Sequence, residues 1–344
     1  MSQELLSAST LKEGQEKLLA AVEQLDKILL GQHELHKLVI IGILSRGHIL
    51  LEGLPGVGKT ALVKALGNIL SLQFSRIQFT PDLLPGDITG GNILQTAPDG
   101  SRTLEFQPGP VFTNILLADE INRASPKTQS AMLEAMQERQ VTCGGVTRKL
   151  PEPFFVLASQ NPIELEGTYP IPEAQLDRFL FKLNVSHVDV DTLTEIIASR
   201  RRGESGKVEF TLSKEELEKC FDLMEKIHLS RPVASYIARL VGAAHPGNPH
   251  EVKEVTRFVA YGPSPRAAIA MAESARAAAL LNGRAAVGFD DVKLVAPAVL
   301  NHRIILNYNA KLEKKSASIL TEELLQQVPC ADAGLPSGLV FEKE

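Results

Sequence analysis

The chain has 344 residues, which at a prior of about 150 residues per domain is enough for two or at most three domains. Its 36 basic and 41 acidic residues leave a formal charge of −5, so there is no global positive field to draw in nucleic acid or anionic lipid. The longest apolar run, seven residues at 38–44, is too short for a membrane-spanning helix, the N-terminus lacks the pattern of a secretion signal, and three widely spaced cysteines suggest neither a disulfide framework nor a metal knuckle. The expectation is a reduced, cytoplasmic protein of α/β type.

In chain order, residues 9–30 predict an amphipathic helix, with Leu18, Val22, Leu25 and Leu29 recurring at helical spacing. A second apolar segment at 34–44 precedes a short strand at 48–52, a glycine-rich turn at 53–58 and a helix at 59–70. A strand follows near 76–80. Residues 81–112 are rich in Gly and Pro, and Ala97-Pro98-Asp99-Gly100 is a strong turn signal between two extended runs, so an inserted hairpin is expected over about 87–108. The next buried strand is 115–118, after which Ser125 as N-cap and Pro126 at the first helical position open a helix to about 139. A second hairpin at 140–150 turns at Gly144-Gly145, and buried strands follow at 154–159 and 179–185.

Beyond 186 the pattern is helical. Ser213 with Glu216 forms a capping box, Ser264-Pro265 opens a long Ala-rich helix, and Asp290 opens another. The run Arg200-Arg201-Arg202 reads as a solvated cationic helix end. Alternating strands and helices before 186 predict a parallel sheet covered by helices on both faces. The expected organisation is an N-terminal helix plus α/β core at 1–186, an all-α domain at 187–328 and a tail at 329–344.

The sharpest chemical signal is Gly53-Leu54-Pro55-Gly56-Val57-Gly58-Lys59-Thr60, a G-x-x-x-x-G-K-[ST] phosphate loop, with Ala61 continuing the helix that follows. Glycines free the backbone N–H groups to turn inward toward phosphates; Lys59 reaches the β- and γ-phosphates and the Thr60 hydroxyl binds Mg²⁺. The helix start adds a dipole that favours anions. Ile115-Leu116-Leu117-Ala118-Asp119-Glu120 supplies the acids such a loop needs at the end of a buried strand. Asp119 is expected to orient Mg²⁺ through water and Glu120 to act as general base on the attacking water.

The run 114–141, NILLADEINRASPKTQSAMLEAMQERQV, together with GLPGVGKT and QFTPDLLPGDITG at 78–90, resembles the MoxR family of AAA+ ATPases over roughly residues 10–325. The resemblance implies a P-loop AAA+ core followed by an all-α lid. It also implies an Asn on the strand beside the acidic one, matched by Asn161, which would help hold the water or the γ-phosphate. Arg178, in Leu176-Asp177-Arg178-Phe179, matches the arginine finger that acts on the neighbouring subunit's nucleotide; from the residues alone it reads as a surface arginine. Arg266, in Pro263-Ser264-Pro265-Arg266, matches the second-sensor motif, toward its own site or a neighbour's. Gln32 matches a position near the adenine or only caps a helix.

The two hairpins match family inserts that face a ring's pore or a partner. Implied partners are further copies of the chain in a ring, usually six, and a client protein, in some cases one carrying a von Willebrand factor A domain. ATP and Mg²⁺ are the implied cofactors. The competing readings are a nucleic-acid motor, disfavoured by the charge and by having only 13 Phe, 4 Tyr and no Trp, and a magnesium-chelatase-like subunit. A GTPase is disfavoured because no guanine-reading N-K-x-D motif occurs.

Overall fold

Apolar runs flanked by glycine and capping residues become the elements expected of them. In a computed structural model, which describes residues 7–96, 102–162, 167–199, 208–248 and 252–330, the chain forms two compact units that divide between Leu223 and Met224, with residues 7–11 grouped with the second unit. The strands of the main sheet end at Asn184.

The first unit holds α1 (Ala8–Ile28) from Lys12 onward, α2 (His33–Leu44), β1 (Ile49–Glu52), α3 (Lys59–Ile69), β2 (Phe74–Gln78), α4 (Pro85–Thr89), β3 (Gly90–Thr96), β4 (Arg102–Pro108) and β5 (Ile115–Asp119). After a 3-10 turn at Ile121–Arg123 come α5 (Pro126–Glu138), β6 (Gln140–Cys143), β7 (Val146–Lys149), β8 (Phe155–Gln160), α6 (Glu173–Leu176), β9 (Phe181–Asn184), α7 (Val190–Ser199) and α8 (Lys214–Glu225). Five strands form one parallel sheet in the order β2-β5-β8-β1-β9.

The central strands β5 and β8 are buried on both faces, which is why they read as unbroken apolar runs. On one face Leu50, Leu116, Ala118, Val156 and Ala158 pack with Met132, Leu133 and Met136 of α5. Alternation turns Ile115 and Leu117 to the other face, where α3 covers β5. Edge strand β2 has one side open and buries only Ile77 of its five residues; it lies two residues earlier than expected from sequence.

Helix α5 begins as predicted, with the Ser125 hydroxyl accepting the Thr128 N–H and Pro126 in the first turn. The first hairpin pairs β3 with β4 from Gly90↔Pro108 to Thr96↔Arg102; its predicted turn at 97–100 lies outside the described residues, as does Arg200-Arg201-Arg202. The second hairpin pairs β6 with β7 and turns at Gly144 (φ 59°) and Gly145 (φ 78°).

The second unit holds α9 (Arg231–Ala243), α10 (Lys253–Phe258), β10 (Val259–Tyr261), α11 (Pro265–Leu281), α12 (Phe289–Leu300), β11 (Ile305–Leu306), α13 (Tyr308–Leu312) and α14 (Ala317–Gln327). Its described residues are mainly helical, with the short antiparallel pair β10–β11. Ala267, Met271, Ala275 and Ala278 are buried along α11, which packs against α12. Tyr236 and Phe289 meet edge to face at 5.5 Å. Of the tail expected at 329–344, only Pro329 and Cys330 are among the described residues, and Arg239 Nη2 donates to both of their carbonyls.

His48, just before β1, is the unusual member of the core. Its Nδ1 accepts the Val156 N–H and its Nε2–H donates to the Met136 carbonyl, so the neutral ring is satisfied on both sides. Burial lowers its pKa from 6.5 to about 4. The unfolded chain therefore takes up a proton near pH 6.5 that the folded chain refuses until about pH 4, and stability falls as pH drops through that window. Urea unfolding at successive pH values is expected to lose about 3 kcal/mol from this residue between pH 7 and 4, a loss absent from His48→Phe. Equal acid sensitivity of the two proteins would sink the assignment.

Candidate active site

The parallel register brings three strand ends to one edge of the sheet. Glu52 at the end of β1 pairs with Gln160 at the end of β8, and the β5–β8 ladder runs up to Ala118↔Ala158. Because β8 lies between β1 and β5, Asn161 stands between the loop that leaves β1 and the acids that end β5. The Gly53 N–H donates to the Gln160 carbonyl at 3.3 Å, tying the start of the loop to β8. A binding site outside the carboxyl ends of the strands is where open α/β sheets hold ligands.

The loop itself is shaped by two left-handed glycines, Gly56 (φ 82°) and Gly58 (φ 93°). A Cβ on Gly58 would come within 2.8 Å of Leu29 Cδ2. Gly58 is also the N-cap of α3, so the helix opens directly from the loop. Lys59 is buried and its ammonium donates to the Gly53 carbonyl at 2.7 Å, arching across the loop. Thr60 is exposed on the first turn of α3. Leu54, Pro55 and Val57 fill the loop between the glycines, and Ala61 continues the helix. This glycine-shaped loop, leading straight into a helix N-terminus, fits a polyphosphate. The Thr60 hydroxyl and the Asp119 carboxylate are the hard oxygen donors that Mg²⁺ prefers.

The acidic end of β5 is held from three directions. Asp119 Oδ2 accepts from Arg76 Nη2 at 2.7 Å and Nε at 3.2 Å, and Oδ1 accepts from the Ser159 hydroxyl. Glu120 has a left-handed backbone (φ 56°), which swings its side chain off the strand line. Its Oε2 accepts from Gln78 Nε2 at 2.9 Å and Arg123 Nη1 at 3.0 Å. Gln78 Oε1 in turn accepts from Arg76 Nη2 at 2.7 Å.

A cleft of about 760 Å³ opens beside the loop, lined by Gly31, Gln32, His33, Leu183 and Ser186 among others. Leu29, which lies against Gly58, directly precedes the cleft-lining Leu30, which brings the cleft close to the loop.

Over residues 48–181 the chain matches the ATPase family associated with various cellular activities (AAA), and over residues 253–324 the AAA lid domain. It is 42% identical to a Mycobacterium tuberculosis protein named Chaperone MoxR1, over 90% of this chain and 81% of that protein. It is 32% identical to Protein MoxR of Paracoccus denitrificans, over 82% of this chain and 87% of that one. The chain belongs to the MoxR family of AAA+ ATPases. A solved structure, that of a candidate ATPase from Cytophaga hutchinsonii, is similar with a TM-score of 0.84 at 39% identity, covering 93% of this chain and 97% of that one. The α/β core and helical lid are thus those of an AAA+ protein.

In this MoxR-family chain the remaining residues of interest fall elsewhere. Gln32 occupies the N-cap position of α2 without capping it: its side chain instead donates to the Ser186 carbonyl at 3.1 Å, across the floor of the cleft. Arg178 precedes β9, and Leu180 N–H donates to the His48 carbonyl, ahead of β1. Arg178 therefore lies at the amino edge of the sheet, with β1 running four residues away from it toward the loop, about 13 Å of strand. There Arg178 Nη1 donates to the Leu133 carbonyl of α5 at 3.1 Å. Arg266 belongs to the second unit, on the first turn of α11, where its N–H is capped by the Ser264 hydroxyl.

Sequence reading did not single out Arg76, Gln78, Arg123 or Ser159. The polar alternation of β2, Arg76 and Gln78 on one face, was the available signal. Its meaning depended on β2 lying beside β5, where Gln78 pairs with Asp119.

Proposed function

We propose that this chain hydrolyses ATP with Mg²⁺ as a homo-oligomeric ring, usually of six copies, and spends that energy remodelling a partner protein in the cytoplasm. The observation that carries the reading is the convergence of the phosphate loop, Asp119, Glu120 and Asn161 at one edge of the sheet. Backbone N–H groups after Pro55, from Gly56 to Ala61, and the Lys59 ammonium bind the triphosphate, and the cleft beside Gly31 and Gln32 takes the adenine. Bound Mg²⁺, held by Thr60 and oriented by Asp119, supplies charge neutralisation at the phosphates. Glu120 accepts the proton of the attacking water, and Asn161 orients that water.

Arg178 stands at the opposite edge of the sheet from its own loop, which supports action on a neighbouring copy: a guanidinium there offsets developing phosphate charge in trans. Arg266 is the second cation proposed for the nucleotide. The relative named Chaperone MoxR1 supports the remodelling role, and a protein with a von Willebrand factor A domain is a candidate client.

ATP turnover per subunit, measured against protein concentration with light scattering on the same samples, tests the reading. Turnover is expected to climb as oligomers form, and Arg178→Ala is expected to abolish that rise while still assembling. Full turnover in a monomer, unchanged by Arg178→Ala, would overturn the trans-acting site and the ring with it.

A further inference from the structure

We infer that Ser159 is a positioning residue that sets both acids at the end of β5 through one hydroxyl. The inference rests on the roles of Asp119 and Glu120 proposed above. Ser159 is fully buried near the end of β8, two residues before Asn161. Its Oγ accepts the Glu120 N–H at 2.9 Å and donates its one proton to Asp119 Oδ1 at 2.5 Å. A hydroxyl is the smallest side chain that can donate and accept at once.

Each bond has a distinct consequence. The β5–β8 backbone ladder reaches Ala118↔Ala158, and beyond it Ser159 Oγ takes the Glu120 N–H where φ turns to 56°. Left-handed backbone is disfavoured for a residue with a Cβ, so it persists where surrounding bonds hold it. The second bond fixes Asp119: with Arg76 on Oδ2 and Ser159 on Oδ1, the carboxylate has one orientation. Any displacement of β8 at Asn161 therefore moves the anchor of Glu120 and the orientation of Asp119 together. Losing the hydroxyl strands the Glu120 N–H and frees the Asp119 carboxylate in one step.

The test is Ser159→Ala, read three ways. Its kcat for ATP is expected to fall about tenfold with little change in KM, the loss of one well-placed hydrogen bond. The Mg²⁺ concentration for half-maximal turnover is expected to rise, while a fluorescent ATP analogue in EDTA binds as tightly as to wild type. In nucleotide-free protein, hydrogen exchange in peptides covering Glu120 is expected to speed up. Ser159→Thr keeps the hydroxyl and is expected to restore all three. Should Ser159→Ala lose its folded circular-dichroism transition, Ser159→Cys, with a weaker donor, replaces it under the same expectations.

A folded variant that keeps kcat and the Mg²⁺ requirement within about twofold of wild type, a change too small for a lost buried hydrogen bond, overturns the inference. So does metal-free binding that weakens as much as kcat falls. Wild-type protein without ATP turnover at any concentration would remove the underlying reading of the site instead. The exchange rate at Glu120 would still report whether the hydroxyl holds that backbone.

Discussion

Glu120→Gln is expected to lower ATP turnover by about a hundred- to a thousandfold while leaving ATP binding intact. The Glu120 carboxylate accepts from Gln78 and Arg123 through Oε2, and an amide at the same position keeps one acceptor oxygen for them. What it loses is the capacity to take a proton from water. The main chain should stay in place, because the left-handed turn is anchored at the backbone by Ser159 and not by the carboxylate. Phosphate release and titration with a fluorescent ATP analogue, on the same preparation, measure the two halves of the expectation. Turnover within about tenfold of wild type would show that another group serves as base, since general-base losses are ordinarily larger. If the variant also traps ATP in the assembled state, it becomes the natural bait for the client protein.

Gly58→Ala is expected to weaken ATP binding by about ten- to a hundredfold. Two costs add. A side chain at φ 93° strains the backbone, and the new Cβ would sit 2.8 Å from Leu29 Cδ2, between the phosphate loop and the adjoining cleft. Relief requires either the loop to flatten, turning N–H groups away from the phosphates, or Leu29 to shift. Gly86→Ala is the matched control, since its Cβ would meet nothing within 4 Å. Calorimetric titration with ATP compares them, and equal affinity of Gly58→Ala and wild type would mean that the loop tolerates another conformation.

Much of the molecule is legible in consecutive residues. The glycine spacing of 53–58, the apolar run ending in Asp119 and Glu120, and the caps Ser125, Ser213 and Ser264 are each local statements. They depend on which φ values a residue tolerates, which orphan N–H a hydroxyl can reach, and which period an apolar run follows. Such features survive being read one stretch at a time. Ser213 and Glu216 exchange their two bonds as the capping box requires, and Ser264 accepts the Arg266 N–H.

The neighbour relations are not legible in that way, because parallel strands pair across long stretches of chain with no turn to mark the partner. Only the order β2-β5-β8-β1-β9 shows that a serine on β8 lies beside two acids on β5. The same order gives Arg76 and Gln78, polar residues on an edge strand, the task of holding those acids, and sets Arg178 at the far edge of the sheet. His48 reads as part of an apolar strand, and only burial between Val156 and Met136 makes it a neutral, acid-sensitive core residue. Local chemistry is written along the chain and was determined by the sequence alone. The alignment of strand ends, on which the arrangement of the site depends, is a long-range packing outcome, and only the tertiary structure decided it.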